Sequence, residues 1–245
     1  MKRGITCFLL ILIIPFSVFC GGSDETEDAP AGDLYQKKRE KMVETQLKSR
    51  GITDPGVLNA MRSVPRHKFV EPDLKDRAYA DTPLPIEHGQ TISQPYIVAY
   101  MTEMLELREG QSVLEIGTGS GYQAAVLAEI TDHVYTVEII KPLAQKAAGL
   151  LENLGYEETA VKTGDGYYGW PEYAPYDRII VTAASGHIPP PLIEQLAPGG
   201  RMMIPVGGVY DMQTLILVRK LPDGSIETEQ TIPVRFVPMT GEALE

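Results

Sequence analysis

The chain has 245 residues, with 33 acidic against 22 basic side chains and a formal net charge of −11. This length suits one sizeable domain rather than two, and the acidic balance disfavours nucleic acid as the main partner, because phosphates bind to a basic face. Both cysteines lie within the first 20 residues and the four histidines form no H-x-x-x-H pair, which excludes a cysteine zinc site from the rest of the chain and gives no sign of a metal.

The first 20 residues begin with Lys2 and Arg3, continue as an apolar run and end at Cys20. A positive start before an apolar core is typical of an export signal, and the run is shorter than the roughly 20 residues of a membrane span. Cys20 and the glycines after it resemble a bacterial lipoprotein cleavage site, where the cysteine is acylated. The pattern indicates export with a lipid tether to a membrane. An uncleaved anchor and a misassigned start codon are the alternatives, and the compartment stays open.

Residues 21–33 are acidic and contain no large apolar side chain. Such a segment cannot bury a core, so it is predicted to form a flexible tether. The folded part is expected to start near Leu34 and to form a single domain over residues 34–245, with a monomer as the default state.

Helical spacing of apolar residues and flanking turn signals predict three helices in the first part of this domain. They cover residues 34–49, the stretch from Asp54-Pro55 to near Pro65, and residues 95–107. A polar loop containing glycine, glutamine, threonine and serine comes directly before the third helix.

From residue 112 the chain alternates between short apolar strands and helices. Predicted strands cover 112–117, 133–140, 159–164, 176–184 and 201–207, and predicted helices cover 121–130, 142–155 and 189–200. Residues 212–221 and 228–239, joined by a Pro-Asp-Gly turn, are typical of a hairpin. The predicted fold class is therefore α/β: a doubly wound, mostly parallel Rossmann-like sheet with a C-terminal antiparallel hairpin and added N-terminal helices. Ligands of such sheets bind at the carboxyl ends of the strands.

A glycine-rich turn follows the first strand of the alternating part, in the sequence LEIGTGSGY at 114–122. Glycine permits a tight turn and a close approach of the backbone to a ligand. Tyr122 stands where a dinucleotide-binding turn needs its third glycine, and the Lys-Ser or Lys-Thr of a phosphate loop is absent. The residues of the turn are Gly117, Thr118, Gly119, Ser120 and Gly121.

Three acids accompany this turn at the ends of successive predicted strands. Glu115 precedes the turn, Glu138 ends the next strand, and Asp165 stands before Gly166 after the third. Three carboxylates without a nearby basic residue disfavour a pyrophosphate, and they suit a ligand with a ribose, an adenine and a positive charge. S-adenosylmethionine is such a ligand. Taken singly, the acids have other interpretations: Glu115 as an orienter of the loop, Glu138 as a solvated strand end, and Asp165-Gly166 as a turn.

Several further segments resemble one family of class I methyltransferases. The glycine turn, the stretch GQTISQPYIVAYMTEML at 89–105, VPRHKFV at 64–70 and VRFVPM at 234–239 are together similar to the protein-L-isoaspartate (D-aspartate) O-methyltransferases. The resemblance covers the chain from about residue 38 to the C-terminus. One departure is Glu87, where members of the family commonly have glycine.

The resemblance implies transfer of a methyl group from S-adenosylmethionine to the carboxylate of an isoaspartyl or D-aspartyl residue in a damaged protein. The ester then closes to a succinimide, which reopens partly to normal aspartate. By the same resemblance, Ser93 lies beside the acceptor carboxylate. The glycines of the turn and Glu115 line the cofactor site, Glu138 binds the ribose, and Asp165-Gly166 flank the adenine.

The chemistry of this reaction explains why no nucleophile–base pair is recognisable. A carboxylate has a reference pKa of about 3.9 and needs no general base at neutral pH, and the departing thioether is neutral. The protein has to orient and desolvate one oxygen. Ser93 is the predicted catalytic donor, with Gln90 and Thr91 as further substrate-binding candidates. The alternative for Ser93 is that it only caps the helix starting near Pro95.

Two other functions remain open at this level. One is a methyltransferase for a small molecule or RNA, although the charge disfavours RNA. The other is a binding module that holds damaged peptides without turnover, against which the intact glycine turn and acids argue.

Overall fold

The computed structural model of the chain describes residues 31–208 and 211–242. The predicted signal at residues 1–20 and the tether up to residue 30 lie outside the described residues. The first described helix begins at Ala31, slightly before the predicted domain start at Leu34.

Six α-helices and nine β-strands are found in the described ranges. The helices are α1 Ala31–Met42, α2 Pro55–Ser63, α3 Pro95–Leu105, α4 Tyr122–Ala128, α5 Lys141–Asn153 and α6 Pro190–Gln195. The strands are β1 Leu84–Pro85, β2 Thr91–Ile92, β3 Val113–Ile116, β4 Val134–Glu138, β5 Ala160–Thr163, β6 Tyr176–Val181, β7 Leu196–Val206, β8 Gln213–Lys220 and β9 Ile226–Val234.

The strands β3 to β9 form one sheet in the order β5-β4-β3-β6-β7-β8-β9. Neighbours from β5 to β7 are parallel, whereas β8 runs antiparallel to both β7 and β9. The central strands β3 and β6 are mostly apolar and are buried at every position except Asp177, as expected for a sheet covered on both faces. This arrangement confirms the predicted doubly wound sheet and its C-terminal hairpin.

The strand order reverses next to β3. The chain passes from β3 to β4 and β5 on one side and returns to β6 on the other side of β3. Helices connected to neighbouring strands then leave in opposite directions, and a crevice opens at the carboxyl ends of the strands. The glycine turn follows β3 directly and therefore borders this crevice.

The helices before β3 follow local sequence signals. Helix α1 continues into one π-helical and one 3₁₀ turn and stops at Gly51, whose φ of 94° is favourable only for glycine. Asp54 caps α2 by accepting a hydrogen bond from the backbone N–H of Val57 at 3.1 Å. The predicted helices are confirmed, and α3 packs against β6 and β7.

The predicted boundaries differ most from the structure at two places. Residues 189–200 do not form one helix, because α6 ends at Gln195 and β7 starts at Leu196. Leu196 pairs with Tyr176 and Arg201 with Arg178, so the intervening residues bulge out of the register around Gly199, which has a φ of 81°. At the C-terminus, strand β9 ends at Val234 instead of continuing to residue 239.

The residues after β9 leave the sheet for a neighbouring loop. The backbone N–H of Ala184 donates to the carbonyl of Val237 at 2.8 Å, and Met239 N–H donates to the carbonyl of Ala184 at 2.7 Å. This backbone pairing draws the chain across the carboxyl end of β6, towards the crevice.

Candidate active site

An open cleft of about 880 Å³ lies at the carboxyl ends of β3 and β4. Three parts of the chain contribute most of its wall: the loop before α3, the glycine turn, and the segment after β9. The predicted site residues that line it are Gln90, Thr91, Ser93, Glu115, Gly117, Thr118, Gly119, Ser120, Glu138 and Gly166. The structure thus brings together all the predicted site residues except Gly121 and Asp165.

The three glycines of the turn have positive φ angles of 97°, 52° and 86° at Gly117, Gly119 and Gly121. A Cβ at Gly117 would lie 2.5 Å from Oγ1 of Thr182, whose hydroxyl donates to the carbonyl of Gly117 at 2.7 Å. A Cβ at Gly121 would instead meet Ala147 on α5 at 3.4 Å. Gly117 therefore shapes the wall of the cleft, and Gly121 allows α5 to pack behind it.

The carboxylate of Glu138 holds the glycine turn against the end of β4. Its Oε2 accepts a hydrogen bond from Gly119 N–H and its Oε1 accepts one from Ile140 N–H, each at 2.9 Å. The residue is only 6% exposed. Because a carboxylate can accept about four hydrogen bonds, each oxygen of this cleft-lining residue keeps acceptor capacity.

Glu115 is fully buried beneath the turn. Its Oε2 accepts from the hydroxyl of Thr136 at 2.6 Å, and the hydroxyls of Thr136 and Thr118 are 2.7 Å apart. Glu115 lines the cleft, and its buried Oε1 has no hydrogen bond to any described residue. Burial raises the pKa of Glu115 to about 8, against the lowering by the Thr136 hydroxyl, and the nearby Glu138 raises it further. Glu115 is therefore largely protonated at neutral pH when the cleft holds no cation.

The raised pKa makes the stability of the ligand-free protein dependent on pH. The pKa rises from 4.5 to about 8 on folding, so the folded state binds more protons between these values and loses stability as the pH increases. Glu115→Gln mimics the neutral form and does not titrate. We therefore expect the free energy of unfolding of the variant, relative to that of the wild type, to increase by on the order of 3 kcal/mol from pH 5 to pH 9. Denaturant unfolding at several pH values measures this difference. If the free energies of unfolding of the two proteins changed with pH in the same way, the raised pKa of Glu115 would be contradicted.

Asp165 and Gly166 have separate positions. Asp165 does not line the cleft: Oδ1 accepts from Tyr167 N–H and Oδ2 from Glu242 N–H, each at 2.9 Å. Gly166 does line it, and it lies so close to Ile116 that a Cβ would overlap the isoleucine side chain. The aspartate therefore holds its own turn and the end of the C-terminal segment, whereas the glycine forms part of the floor.

The loop before α3 is carried by a two-stranded ribbon in which β1 pairs with β2. Ser93 follows this ribbon and is half-buried in the wall of the cleft. The N-cap of α3 is Gln94, and no side chain caps the helix. Capping is therefore not the role of Ser93, and its hydroxyl makes no hydrogen bond with the described residues.

Sequence reasoning missed two parts of the site. Thr136, which holds Glu115, faces it across the β3–β4 pair, and only the strand register reveals this contact. Residues 237–240 also line the cleft. Most of them belong to the motif VRFVPM, which is part of the family resemblance, but nothing in its composition indicates a place in the site.

No group of three or more His, Cys, Asp or Glu side chains in the described ranges is arranged to hold a metal ion. No helix in them has the length and apolar character needed to cross a membrane.

A glycine turn at the reversal of strand order, with carboxylates at the ends of β3 and β4, defines a class I S-adenosylmethionine-dependent methyltransferase. A profile described as protein-L-isoaspartate(D-aspartate) O-methyltransferase matches residues 37–244. The chain belongs to this family.

Relatives and solved structures agree with this membership. Protein-L-isoaspartate O-methyltransferase 1 of Nitrosospira multiformis is 58% identical over 84% of this chain and 89% of its own length. Protein-L-isoaspartate O-methyltransferase 2 of Syntrophobacter fumaroxidans is 49% identical over 98% of each chain. A solved protein-L-isoaspartate O-methyltransferase shares 32% identity and a TM-score of 0.75, over 84% of this chain and 67% of its own.

A second solved structure contains a ligand. It is a Plasmodium falciparum chain assigned as a protein-L-isoaspartate O-methyltransferase, in complex with S-adenosyl-L-homocysteine. It shares 26% identity and a TM-score of 0.71, over 82% of this chain and 98% of its own.

Proposed function

We propose that this protein methylates the free carboxylate of L-isoaspartyl residues, and of D-aspartyl residues, in damaged proteins, with S-adenosylmethionine as the methyl donor. The observation that carries the proposal is the meeting of two walls in one cleft. One wall is the glycine turn with its acids, and the other is the hydroxyl-bearing loop that ends at Ser93. The family membership indicates the acceptor, and the ester leads to repair through a succinimide.

The residues of the first wall fit the adenosyl donor. Glu138 has acceptor capacity left for the two hydroxyls of a ribose. Glu115 lines the cleft and its Oε1 has no partner among the described residues, so a positive charge on the ligand would favour the ionised carboxylate. Gly166 lines the cleft and packs directly against Ile116, and we assign it to the adenine end of the site. S-adenosyl-L-homocysteine in the Plasmodium falciparum relative supports this use of the cleft.

The proposed role of Asp165 changes with its contacts. Both of its oxygens already accept backbone hydrogen bonds, so we assign it to holding the Gly166 turn and the C-terminal segment. Adenine is then flanked by Gly166 rather than by the aspartate. Gly121 is likewise assigned to packing against α5.

The second wall orients the acceptor. Ser93 Oγ is the proposed donor to the carboxylate, since it lines the cleft and has no partner among the described residues. Gln90 and Thr91 line the same wall and are proposed to bind the substrate backbone or carboxylate. Neutral donors hold the anion in line without the strong pairing that an arginine would impose, which leaves the oxygen nucleophilic.

The reaction needs little else from the protein. S-adenosylmethionine supplies a methyl group already activated on a sulfonium. The acceptor is ionised at neutral pH, with a reference pKa of about 3.9, and requires no base. The chain contributes by placing the oxygen at the methyl and by excluding water from it.

A methyl-transfer assay tests this function. Purified protein is incubated with tritiated S-adenosylmethionine and two peptides that differ only in an L-isoaspartyl or a normal aspartyl linkage. We expect base-labile label on the isoaspartyl peptide and about background on the aspartyl one. Equal labelling of both peptides, or of neither, would contradict the proposed acceptor.

We also propose that residues 1–20 direct export and that Cys20 anchors the chain to a membrane by a lipid. The support is the order of Lys2, Arg3, the apolar run and Cys20. The mass of the N-terminal peptide after cell fractionation tests this, because an intact Met1 in the soluble fraction would exclude processing.

We further propose that the folded domain is a monomer. Its molar mass in solution, measured by light scattering, tests this proposal.

A further inference from the structure

Arg66 is a buried arginine directly behind the wall of the active-site cleft. Its side chain is 0% exposed. Nε donates to the carbonyl of Ala78 at 2.7 Å, and Nη2 donates to the carbonyl of Ser93 at 2.6 Å. The guanidinium carbon lies 4.7 Å from the ring centroid of Tyr122. Both Ser93 and Tyr122 line the cleft, so Arg66 supports two of its wall residues at once.

No carboxylate neutralises this charge among the described residues. The partners of Arg66 there are two carbonyls and an aromatic ring, and Nη1 has no hydrogen-bond partner. Burial raises the pKa of Tyr122 to about 12, so the ring stays neutral. Burial also lowers the pKa of Arg66, but a guanidinium remains charged at neutral pH.

Such a charge is costly to bury. An unpaired ion loses its hydration without a compensating counter-ion, and an apolar side chain of similar volume would stabilise a core better. The two carbonyls explain the geometry of the side chain but not the need for a full positive charge. A neutral donor would satisfy them at a lower cost.

The charges of the cleft supply a reason. Among the described residues that line it are Glu115 and Glu138, and none is lysine, arginine or histidine. The carboxylate of Glu138, together with Glu115 once a cation in the cleft has ionised it, favours a cationic donor but repels an acceptor that is itself a carboxylate. Arg66 is placed at the end of the cleft formed by Ser93, where that acceptor is proposed to bind.

We infer that Arg66 is a positioning residue that holds the Ser93 backbone in place and supplies the positive potential that draws the acceptor carboxylate into an acid-lined cleft. This inference rests on the proposed function. It makes Arg66 a determinant of specificity for an anionic acceptor over its neutral amide. The charge acts through the wall, so it attracts the oxygen without binding it directly.

The test compares an isoaspartyl peptide with the same β-linked peptide in which an α-carboxamide replaces the free α-carboxylate. Dissociation constants are measured by calorimetry on the full chain with S-adenosylhomocysteine bound, which prevents turnover. For unit charges about 8 Å apart at an effective dielectric constant of about 20, Arg66→Met is expected to weaken binding of the carboxylate peptide by about thirtyfold. Binding of the neutral amide should change by less than about threefold, because it carries no charge for Arg66 to attract.

Arg66→Lys separates charge from geometry. Lysine keeps the charge but has no planar fork for two carbonyls, so the ratio of the two peptide affinities should stay within about threefold of the wild type. The turnover number should fall, because Ser93 is held less well. If Arg66→Met does not fold, Arg66→Lys alone tests the role of the charge. A loss of the preference for the carboxylate peptide in Arg66→Lys would then overturn the inference.

Arg178→Met is the matched control. Arg178 is 8% exposed, donates to the carbonyls of Asp177 and Glu106, and has a buried Nε without a partner among the described residues. It lies at the amino end of β6, away from the cleft. We expect the affinity ratio to be unchanged in this variant.

If Arg66→Met weakened the binding of both peptides equally, the role of Arg66 would be purely structural and the inference would be overturned. Failure of the wild type to methylate the isoaspartyl peptide would instead remove the proposed function.

Discussion

Glu138→Ala is expected to weaken binding of S-adenosylmethionine by about a hundredfold to a thousandfold. This is the effect of losing two charge-assisted hydrogen bonds, those proposed between the carboxylate and the ribose hydroxyls. The carboxylate is proposed to accept from both ribose hydroxyls while it accepts from Gly119 and Ile140 N–H. Its removal also releases the glycine turn, which loses its hydrogen bond to the end of β4. Calorimetry with S-adenosylmethionine measures the change in affinity.

Glu103→Ala provides the matched control for this experiment. Oε1 of Glu103 also accepts two backbone hydrogen bonds, from Thr53 and Asp54 N–H at 2.7 Å each, but the residue does not line the cleft. Its loss should lower the free energy of unfolding and leave the affinity for S-adenosylmethionine within about twofold. An unaltered affinity in Glu138→Ala would contradict the ribose assignment. Equal losses in both variants would point to a general loss of structure.

Ser93→Ala is expected to lower kcat/KM for an isoaspartyl peptide by about tenfold to a thousandfold, which corresponds to roughly 1.4–4 kcal/mol of transition-state stabilisation. The hydroxyl has no structural partner among the described residues, and α3 has no side-chain cap to lose. The affinity for S-adenosylmethionine and the melting temperature should therefore stay close to the wild-type values. Steady-state kinetics with saturating S-adenosylmethionine measures the effect.

Ser112→Ala tests whether the loss is specific to Ser93. The hydroxyl of Ser112 bonds to Asp177 at the opposite end of β3, with Asp177 N–H donating to it at 3.1 Å. Its removal should reduce stability slightly and change kcat/KM by no more than about twofold. A wild-type rate in Ser93→Ala would remove Ser93 from the mechanism, and the acceptor would then have to be oriented by Gln90, Thr91 or the backbone.

The architecture was largely predictable because its signals are local. Apolar runs with glycine turns between them indicated β3 to β6 and the helices that connect them. The start of β7 was not predictable, because the bulge at Gly199 depends on the pairing of Leu196 with Tyr176, which is distant in the sequence. The end of β9 similarly depends on Ala184, which takes the following residues out of the sheet.

The sequence indicated which residues form the candidate site better than it indicated the hydrogen bonds that those residues make. The strand-end positions of Glu115 and Glu138 brought both into the cleft. The sequence did not indicate which carboxylates were already occupied by hydrogen bonds within the protein. Asp165, for example, accepts from the N–H of Glu242, which is distant in the sequence. The hydrogen bond between Arg66 and Ser93 joins two recognised motifs, but their spacing in the sequence does not reveal it.

A crystal structure of the full chain with S-adenosylhomocysteine and an isoaspartyl peptide tests the central claim most directly. The account predicts an acceptor carboxylate oxygen about 2.6–3.0 Å from Ser93 Oγ, with the Glu138 carboxylate on both ribose hydroxyls. A peptide carboxylate bound away from the loop at Ser93, or a ribose that does not contact Glu138, would contradict it.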